Sequence, residues 1–375
     1  MAKYFLIAGE ASGDMHAAAL IEQIRLLDPE ATFSGLGGDR MEAAKCRLYQ
    51  SSRRMSFMGF AAVLRNIGQV RQNFRIARRA LLETTPDVLI LIDYPSFNLK
   101  MAAFCRRKLP ATRIIYYIPP KVWAWKPWRI HRIARLCDRI LAIFPFEPDY
   151  YKRHGYDCTY VGNPTVEELS QCSNPIAQQS RNVSVPQSGE RPLIALLPGS
   201  RPSEVTHCLP RMLTAARRFP QYRIVVSAAP GLEEAFYRPY LREGETLTRD
   251  THAVVREAQA AVVNSGTATL ETALLGCPQV AVYHLACSRL IGMLRWAQSL
   301  VFSIHHFTLV NILAGEEVIP ELVADDFTAD KVAEALQKLL TDEQYTQKML
   351  AEYEHLRLLL GTQSAAANAA RECVS

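Results

Sequence analysis

A chain of 375 residues is too long for one ordinary hydrophobic core, and this length predicts two domains. No run of 18 uncharged apolar residues occurs, which argues against a membrane-spanning helix. A strand-like run begins at Tyr4, so we expect no secretory leader. The nine cysteines form no CxxC pair and no Cys/His cluster, so we expect a cytoplasmic protein without structural zinc.

The net charge of +6 is unevenly distributed along the chain. Residues 1–165 hold 25 Lys and Arg against 14 Asp and Glu, whereas the remainder holds 18 against 23. A basic half predicts contact with something anionic, such as phosphate, a membrane surface or nucleic acid. A solvated arginine-rich face is the alternative interpretation.

Short apolar runs alternate with helical patterns in both halves, which predicts parallel sheets with helices on both faces. The predicted strands are residues 4–8, 88–92, 114–118, 140–143, 193–197, 223–228, 261–264 and 279–283. We predict an α/β architecture of two doubly wound, Rossmann-like domains that face a central cleft. The predicted plan is a first domain at 1–168, a linker at 169–192, a second domain at 193–340, and C-terminal helices at 341–375 that pack back on the first domain.

The first predicted strand leads into a turn at residues 9–14. Gly9 and Gly13 allow a tight turn at a helix N-terminus, although the spacing is not that of the G-x-G-x-x-G dinucleotide fingerprint. We expect Asp14 to cap the helix. Glu10 has no such structural role and is a candidate functional carboxylate.

Asp93 directly follows the apolar strand at residues 88–92. An ionisable group at the carboxyl end of a parallel strand lies at the mouth of the sheet crevice. A carboxylate in a partly dry crevice has a raised proton affinity, which suits a general base. Capping of the next helix is the alternative.

The first strand of the second half ends in Gly199, Ser200 and Arg201. The glycine permits close approach of a ligand to the backbone, the serine offers a hydroxyl group, and the arginine presents a planar fork that suits phosphate oxygens. A surface arginine is the alternative interpretation.

The same design recurs after residues 261–264, where Ser265, Gly266 and Thr267 form a turn before a helix. Backbone N–H groups at a helix N-terminus, together with the helix dipole, suit a diphosphate. Glu271 lies one turn inside that helix, where its carboxylate is placed to accept hydrogen bonds from a ribose diol.

Residues 55–70 predict an amphipathic helix. The apolar residues recur at spacings of three, four and three and form one face: Phe57, Phe60, Leu64 and Ile67. Arginines flank this face, and a basic amphipathic segment predicts membrane contact. An ordinary helix that faces the core explains the apolar spacing equally well.

Two further patterns resemble binding sites but do not predict one. Trp123, Trp125 and Trp128 lie among lysines and arginines but match no nucleic-acid module, so we expect no nucleic-acid partner. His305 and His306 are adjacent and have no third ligand at metal spacing, so we expect no metal there.

Seven motifs resemble, in order and over nearly the whole chain, those of the lipid-A-disaccharide synthase family. They are AGEASGD at 8–14, Ile92 with Asp93, VWAW at 122–125, FPFE at 144–147, LPGSR at 197–201 with Glu204, SGTA at 265–268 with Glu271, and NILAG at 311–315. Two positions depart from the family pattern: Asn163 stands where many relatives carry His, and Val310 stands where Pro is common.

The resemblance implies a GT-B glycosyltransferase of lipid A biosynthesis, attached peripherally to the cytoplasmic face of the inner membrane. The implied substrates are UDP-2,3-diacylglucosamine and 2,3-diacylglucosamine 1-phosphate, and the implied products are the β-1,6-linked disaccharide 1-phosphate and UDP. The implied transfer inverts the anomeric centre and needs no cofactor or metal. The oligomeric state, including a homodimer, stays open.

The resemblance also implies roles for the candidate residues. Asp93 becomes the base, with Glu10 as the other candidate. The substrate contacts it implies are Glu10 and Ser12 on the acceptor side, Gly199, Ser200, Arg201, Ser265, Gly266 and Thr267 at the diphosphate, Glu271 at the ribose, and Asn311 near the nucleotide or donor sugar.

Two rival functions are open at this point. A UDP-sugar 2-epimerase uses the same type of cleft but does not need the basic apolar segment near residue 60. A non-catalytic protein that binds membrane or RNA explains the basic half, but it does not explain polar turns repeated at strand ends.

Overall fold

A computed structural model describes residues 1–52, 67–124, 126–171, 191–229, 231–284 and 306–375. The chain forms two compact units, Met1–Glu167 with Leu360–Ser375, and Glu168–Leu359. The C-terminal helices therefore divide between the units, whereas the sequence plan placed residues 341–375 together. Helix Glu343–Leu360 lies in the second unit up to Leu359, and only the last helix, Ala365–Val374, belongs to the first.

The first unit is a seven-stranded parallel sheet with the order β3-β2-β1-β4-β5-β6-β7. Its strands are β1 (Lys3–Ala8), β2 (Thr32–Gly37), β3 (Arg47–Ser51), β4 (Val88–Ile92), β5 (Arg113–Tyr117), β6 (Arg139–Ala142) and β7 (Thr159–Tyr160). The described helices up to the passage into the second unit are α1 (Ala11–Leu27), α2 (Asp39–Ala43), α3 (Ile67–Thr84), α4 (Pro95–Lys108), α5 (Arg129–Leu136), α6 (Glu147–Arg153) and α7 (Pro164–Gln171).

The second unit is a six-stranded parallel sheet with the order β10-β9-β8-β11-β12-β13. Its strands are β8 (Leu193–Leu197), β9 (Arg223–Ser227), β10 (Thr246–Thr248), β11 (Ala260–Asn264), β12 (Gln279–Tyr283) and β13 (Glu321–Val323). The remaining described helices are α8 (Pro202–Ala216), α9 (Thr251–Glu257), α10 (Thr267–Leu274), α11 (Leu309–Ala314), α12 (Ala329–Thr341), α13 (Glu343–Leu360) and α14 (Ala365–Val374).

The central strands of each sheet are apolar because helices cover parallel strands on both faces. Every residue of β4, β8 and β11 is buried. The C-terminal helix α14 completes one face of the first unit, where Ala369, Ala370 and Cys373 pack in one cluster with Leu20 and Ile24 of α1. Small alanine side chains let the two helices approach closely.

The strand order reverses between β1 and β4 in the first sheet and between β8 and β11 in the second. Ligands of open α/β sheets bind outside the carboxyl ends of the strands at such a reversal. Ala8 pairs with Ile92 across the first reversal, and Val263 pairs with Leu197 across the second. The residues that follow these pairs, predicted from sequence as functional, therefore stand at the ligand-binding ends of their sheets.

The segment predicted as a membrane-contacting helix lies largely outside the described residues. Phe57, Phe60 and Leu64 are outside them, and Ile67 opens α3 without a described side chain. Among the helices that the structure describes, none combines the length and the apolar character needed to cross a bilayer.

Candidate active site

The chain turns sharply where β4 ends. Asp93 and Tyr94 both adopt a φ of 45°, a left-handed conformation that L-residues rarely take. Two hydrogen bonds hold the turn by its main-chain carbonyl: the Asn98 Nδ2 donates to the Asp93 oxygen at 2.7 Å, and the Tyr116 hydroxyl donates to the same oxygen at 2.8 Å. Strained turns that neighbouring groups hold in place concentrate at functional sites.

The environment of the Asp93 carboxyl raises its affinity for a proton. Burial raises its pKa, while a backbone hydrogen bond from Tyr94 and the positive charge of Lys121 act in the opposite direction. A carboxylate with increased basicity at the end of a central strand is suited to general-base catalysis.

The end of β1 lies beside this turn. The Tyr94 ring packs on Gly9 so closely that a Cβ atom there would stand 2.4 Å from the ring. Glu10 is the N-cap residue of α1, and its negative charge adds to burial in raising the pKa of the Tyr94 phenol. Ser12 follows, exposed, in the first turn of the helix. Glu10, Ser12 and Asp93 are thus brought to adjacent strand ends.

Asp14 has a different role from the one predicted. It lies inside α1 rather than at its N-cap, and its carboxylate accepts hydrogen bonds from the backbone N–H groups of Gly38, Arg40 and Met41 at 2.6, 3.0 and 3.1 Å. These groups belong to the start of α2. Asp14 therefore caps the following helix across space, a contact that local sequence does not reveal.

In the second unit, Gly199 occupies a position that only glycine fits. Its φ is +112°, and a Cβ atom would lie 2.5 Å from Oε2 of Glu204 and 2.7 Å from Nδ2 of Asn264. The Glu204 carboxylate accepts hydrogen bonds from the backbone N–H of Ser200 at 2.9 Å and of Arg201 at 3.2 Å. The backbone N–H groups and the Arg201 guanidinium in the loop after β8 therefore already bind one carboxylate, that of Glu204.

Arg201 pairs with that carboxylate through Nη1 at 2.9 Å from Oε1 of Glu204, and its side chain remains 54% exposed. The guanidinium has five N–H donors, so this pairing leaves others for a ligand. Arg201 lines one cavity with Ser265, Gly266 and Thr267, so the structure brings together the residues that the sequence predicts at the diphosphate.

This cavity has a volume of about 550 Å³ and lies within the second unit. Its walls bring together the residues predicted for nucleotide binding: Gly199, Ser200, Arg201, Ser265, Gly266, Thr267 and Glu271. Gly266 is the N-cap of α10, whose first N–H groups have no partner within the helix. The size suits a small-molecule ligand, and the helix N-terminus suits an anionic group.

Sequence reasoning missed His252, which lines the same cavity. Its Nε2 lies 3.8 Å from Oε2 of Glu271, and the Glu271 carboxylate raises the pKa of the imidazole. Ser227, Thr251 and Tyr283 also line the cavity and were not predicted. They come from β9, α9 and β12, which have no polar turn motif that marks them in the sequence.

Asn311 is not among the residues that line this cavity. Its side chain is fully buried and holds α11 to the chain that follows. Nδ2 donates to the Ile319 carbonyl and to Oε1 of Glu321, and Oδ1 accepts from the N–H groups of Val318 and Ile319, all at 2.9 Å. Both donors and both acceptor positions of the amide are therefore used internally.

Comparison with known proteins shows the family to which this chain belongs. The family model for lipid-A-disaccharide synthetase matches residues 4–374. A lipid-A-disaccharide synthase of Myxococcus xanthus is 36% identical over 98% of this chain and 96% of its own length, and one of Geobacter sulfurreducens is 34% identical over 96% and 93%. The chain belongs to the lipid-A-disaccharide synthase family.

Solved structures share the fold of this family member at low sequence identity. The S. aureus MnaA–UDP structure superposes with a TM-score of 0.65, 11% identity, and coverage of 100% of this chain and 95% of the other. The kitacinnamycin glycotransferase gives a TM-score of 0.62, 14% identity and 99% coverage of both chains. These likenesses confirm the predicted GT-B fold. The family match, rather than the fold, disfavours the epimerase alternative.

Both departures from the family pattern are buried in the structure. Asn163 is buried, donates from Nδ2 to the Ile143 carbonyl at 3.0 Å, and accepts at Oδ1 from the Thr165 N–H at 2.9 Å. It therefore joins the end of β6 to the start of α7. Val310 is fully buried in α11, where its apolar side chain fills the core.

Proposed function

We propose that the chain is an inverting glycosyltransferase that joins UDP-2,3-diacylglucosamine to 2,3-diacylglucosamine 1-phosphate and releases UDP. The observation that carries this proposal is the family match over residues 4–374, together with polar groups at the strand-order reversals of both sheets. The product is the β-1,6-linked disaccharide 1-phosphate, a precursor of lipid A.

In the proposed transfer, the acceptor 6-hydroxyl oxygen attacks the anomeric carbon of the donor while the bond from that carbon to the UDP oxygen breaks. Asp93 takes the hydroxyl proton, because its carboxyl has the raised proton affinity described above. Attack from the side opposite to UDP inverts the anomeric centre. Ser12 and Glu10, on the neighbouring strand end, line the acceptor side, and Glu10 is the second candidate for the base.

Negative charge develops on the departing UDP, and polar groups of the second unit stabilise this charge in the proposed reaction. Arg201 and Ser200 bind the diphosphate together with the turn Ser265–Gly266–Thr267 at the N-terminus of α10. Glu271 accepts hydrogen bonds from the ribose. We propose that these groups supply the positive charge that a metal ion supplies in other sugar transferases, so the reaction proceeds without one.

The decisive experiment incubates the purified protein with both lipid substrates and follows them by thin-layer chromatography in the presence of EDTA. Appearance of the disaccharide 1-phosphate and stoichiometric UDP supports the proposal. The donor alone serves as the control, since an epimerase converts the UDP-sugar without an acceptor. Conversion of the donor alone, or no product with both substrates, would refute the transfer.

We further propose that residues 55–70 contact the cytoplasmic surface of the inner membrane. Both substrates carry acyl chains, and each CH₂ moved through water costs about 0.8 kcal/mol, so a transferase gains from working at the bilayer. The described part of α3 supports this, since it adds four exposed cations that suit anionic lipid: Arg71, Arg75, Arg78 and Arg79.

Replacement of Phe57, Phe60, Leu64 and Ile67 by Ser or Gln separates membrane contact from a core role. Membrane contact predicts a folded variant that no longer co-sediments with anionic liposomes. A melting curve provides the control for folding. A collapse of stability with unchanged lipid binding would defeat the membrane assignment, because polar groups buried in a core destabilise it by several kcal/mol.

A further inference from the structure

A second cavity lies in the first unit, at the opposite end of the sheet from Asp93. Its volume is about 480 Å³, and its walls come from the starts of β1, β2 and β3 and from the ends of α1 and α3. Lys3 of β1 pairs with Thr32 of β2 at this end. The six residues of β1 separate it from the Ala8 end by roughly 17 Å, so a ligand bound here leaves the candidate active site free.

The walls of this cavity are basic. Among the described residues that line it, Glu83 is the one carboxylate. Four cationic side chains line it: Lys3, Arg25, Lys45 and Arg47. A concave surface lined by charges of one sign concentrates ions of the opposite sign, so this cavity favours an anion.

The two arginines of this cavity are held over aromatic rings. The Arg25 Cζ lies 5.3 Å from the centroid of the Phe33 ring, and the Arg47 Cζ lies 5.0 Å from that of Tyr49. The Arg25 Nη2 also donates to the Ala44 carbonyl at 3.0 Å. A guanidinium has five N–H donors, so these contacts leave donors for a ligand. Because the groups are already held in place, binding orders fewer side chains.

Glu83 is a weak partner for these cations. Its Oε1 lies 3.8 Å from the Arg47 Nη2, and the two side chains remain 50% and 72% exposed. The Tyr49 hydroxyl donates to the same oxygen at 3.4 Å. An exposed ion pair of this kind contributes little, so a ligand that carries more charge than one carboxylate can compete for Arg47.

Ser34 adds an unused hydrogen-bonding group to the wall of the cavity. The residue is buried, and its hydroxyl oxygen has no hydrogen-bond partner among the described residues. Ser34 pairs with Arg47 on the neighbouring strand. A buried hydroxyl group without a partner is costly, and a ligand oxygen beside Arg47 would supply the partner.

We propose that this cavity binds the phosphate group of a small soluble molecule, through the four cations and the Ser34 hydroxyl. A phosphate monoester carries nearly two negative charges and three acceptor oxygens, which suits several converging donors better than a carboxylate does. Guanidinium groups bind such oxygens in pairs. The volume accommodates a small metabolite.

The position of the cavity on α3 favours a soluble ligand over a lipid headgroup. Glu83 and Thr84, which line it, are the last residues of α3, whereas the segment proposed to contact the membrane includes the start of this helix. The 18 residues of α3 separate the two ends by roughly 26 Å. A lipid held at the start of α3 therefore does not reach the cavity.

Calorimetry with inorganic pyrophosphate tests the site in the double variant Lys45→Asn/Arg47→Gln. Asn suits position 45 because Lys45 has a φ of 60°, and Asn tolerates this left-handed backbone. We expect the affinity of the first-unit site to fall by roughly tenfold or more, since hydrogen bonds to two charged groups are lost. Unchanged affinity in a variant that melts like the wild type would overturn the proposal.

Arg107→Gln/Lys108→Gln is the matched control. It removes two exposed cations from the same unit, at positions that do not line the cavity. This variant should bind pyrophosphate like the wild type. An equal loss of affinity in both double variants would show that net charge alone attracts the anion, and the proposed site would be wrong.

Hydrogen exchange locates the bound anion. Pyrophosphate should protect backbone amides of residues 32–36 and 45–49 in the wild type and in Arg201→Ala, but not in Lys45→Asn/Arg47→Gln. Protection confined to residues 199–201 and 265–271 would place the anion in the second unit and overturn the proposal. These measurements need no turnover, so the site stands or falls independently of the proposed transfer.

Vesicles that contain phosphatidylglycerol distinguish the two sources of phosphate. For a soluble ligand, Lys45→Asn/Arg47→Gln should co-sediment with the vesicles as the wild type does. A loss of co-sedimentation in this variant, but not in Arg107→Gln/Lys108→Gln, would assign the cavity to a lipid headgroup and overturn the proposal of a soluble ligand.

Discussion

The side-chain amide of Asn98 joins the two central strands of the first unit at their carboxyl ends. Its Nδ2 lies 2.7 Å from the carbonyl oxygen of Asp93, 3.2 Å from that of Ile92 and 3.5 Å from that of Ile7. Asn98 is fully buried. One amide therefore fixes the left-handed turn that carries the candidate base and ties it to the strand that precedes Glu10.

We predict that Asn98→Ala lowers kcat more than it changes KM for the UDP-sugar, because the turn at Asp93 loses one of its two supporting side chains while the second unit is untouched. Loss of the buried hydrogen bonds should also reduce the free energy of unfolding by about 1–3 kcal/mol. Asn73→Ala is the control, since Asn73 is buried and accepts from Gln50 and Gln69. Equal losses of kcat in both variants would show that stability alone is responsible.

Asp93→Asn should abolish turnover in a folded protein, because an amide cannot take the acceptor's proton. General-base loss costs roughly 10²–10⁴-fold in rate. Glu10→Gln, measured beside it, decides between the two candidate carboxylates. More than about a tenth of the wild-type rate in Asp93→Asn would exclude Asp93 as the base.

Arg201→Ala should weaken UDP binding by roughly 10- to 100-fold, which corresponds to one charge-assisted hydrogen bond. Calorimetry with UDP in EDTA measures this directly. Arg249→Ala is the matched control, because Arg249 belongs to the same unit and pairs with Glu234 at 3.5 Å at a comparable exposure. Unchanged affinity in Arg201→Ala, or loss of wild-type activity in EDTA, counts against the metal-free scheme.

Asn311→Ala should reduce stability rather than affinity. The substitution leaves the N–H groups of Val318 and Ile319 without their acceptor, and each unsatisfied buried group costs about 1–3 kcal/mol. Denaturant unfolding should show this loss, while UDP binds normally at temperatures where the variant is folded. A selective loss of UDP affinity with unchanged stability would restore the nucleotide contact predicted from the sequence.

Acid should destabilise the first unit partly through His16. Burial lowers the pKa of His16 from 6.5 to about 4, against the charge of Glu167. The unfolded chain therefore binds a proton below pH 6.5, whereas the folded chain accepts it only near pH 4. The free energy of unfolding that the neutral His16 contributes is present above pH 6.5 and falls as the pH drops from 6.5 to 4. The contribution is at most about 3 kcal/mol. His16→Gln should flatten the pH dependence of unfolding in this range, whereas His355→Gln, an exposed control, should leave it steep.

The sequence by itself determined the α/β class, the two-fold repetition of a Rossmann-like unit and the polar turns after β1, β4, β8 and β11. These features are local, because an apolar run of five residues bounded by turn residues is typical of a buried strand, and the residues that follow such a strand stand at the edge of the sheet. Short or glycine-containing strands escaped this reasoning. In β2, Gly35 resembles a turn residue, yet it is there because a Cβ atom would lie 2.1 Å from the Leu6 carbonyl.

Only the tertiary structure decided which polar side chains serve the site and which serve the fold. Asp14 and Asn311 look like functional residues or local caps in the sequence, but each satisfies backbone groups that fold against it from another segment. His252 carries no local signal and acquires its meaning from its pairing with Glu271. The physical reason is that hydrogen bonds and charge interactions act over a few ångströms in space, and the chain brings such partners together only when the sheets assemble.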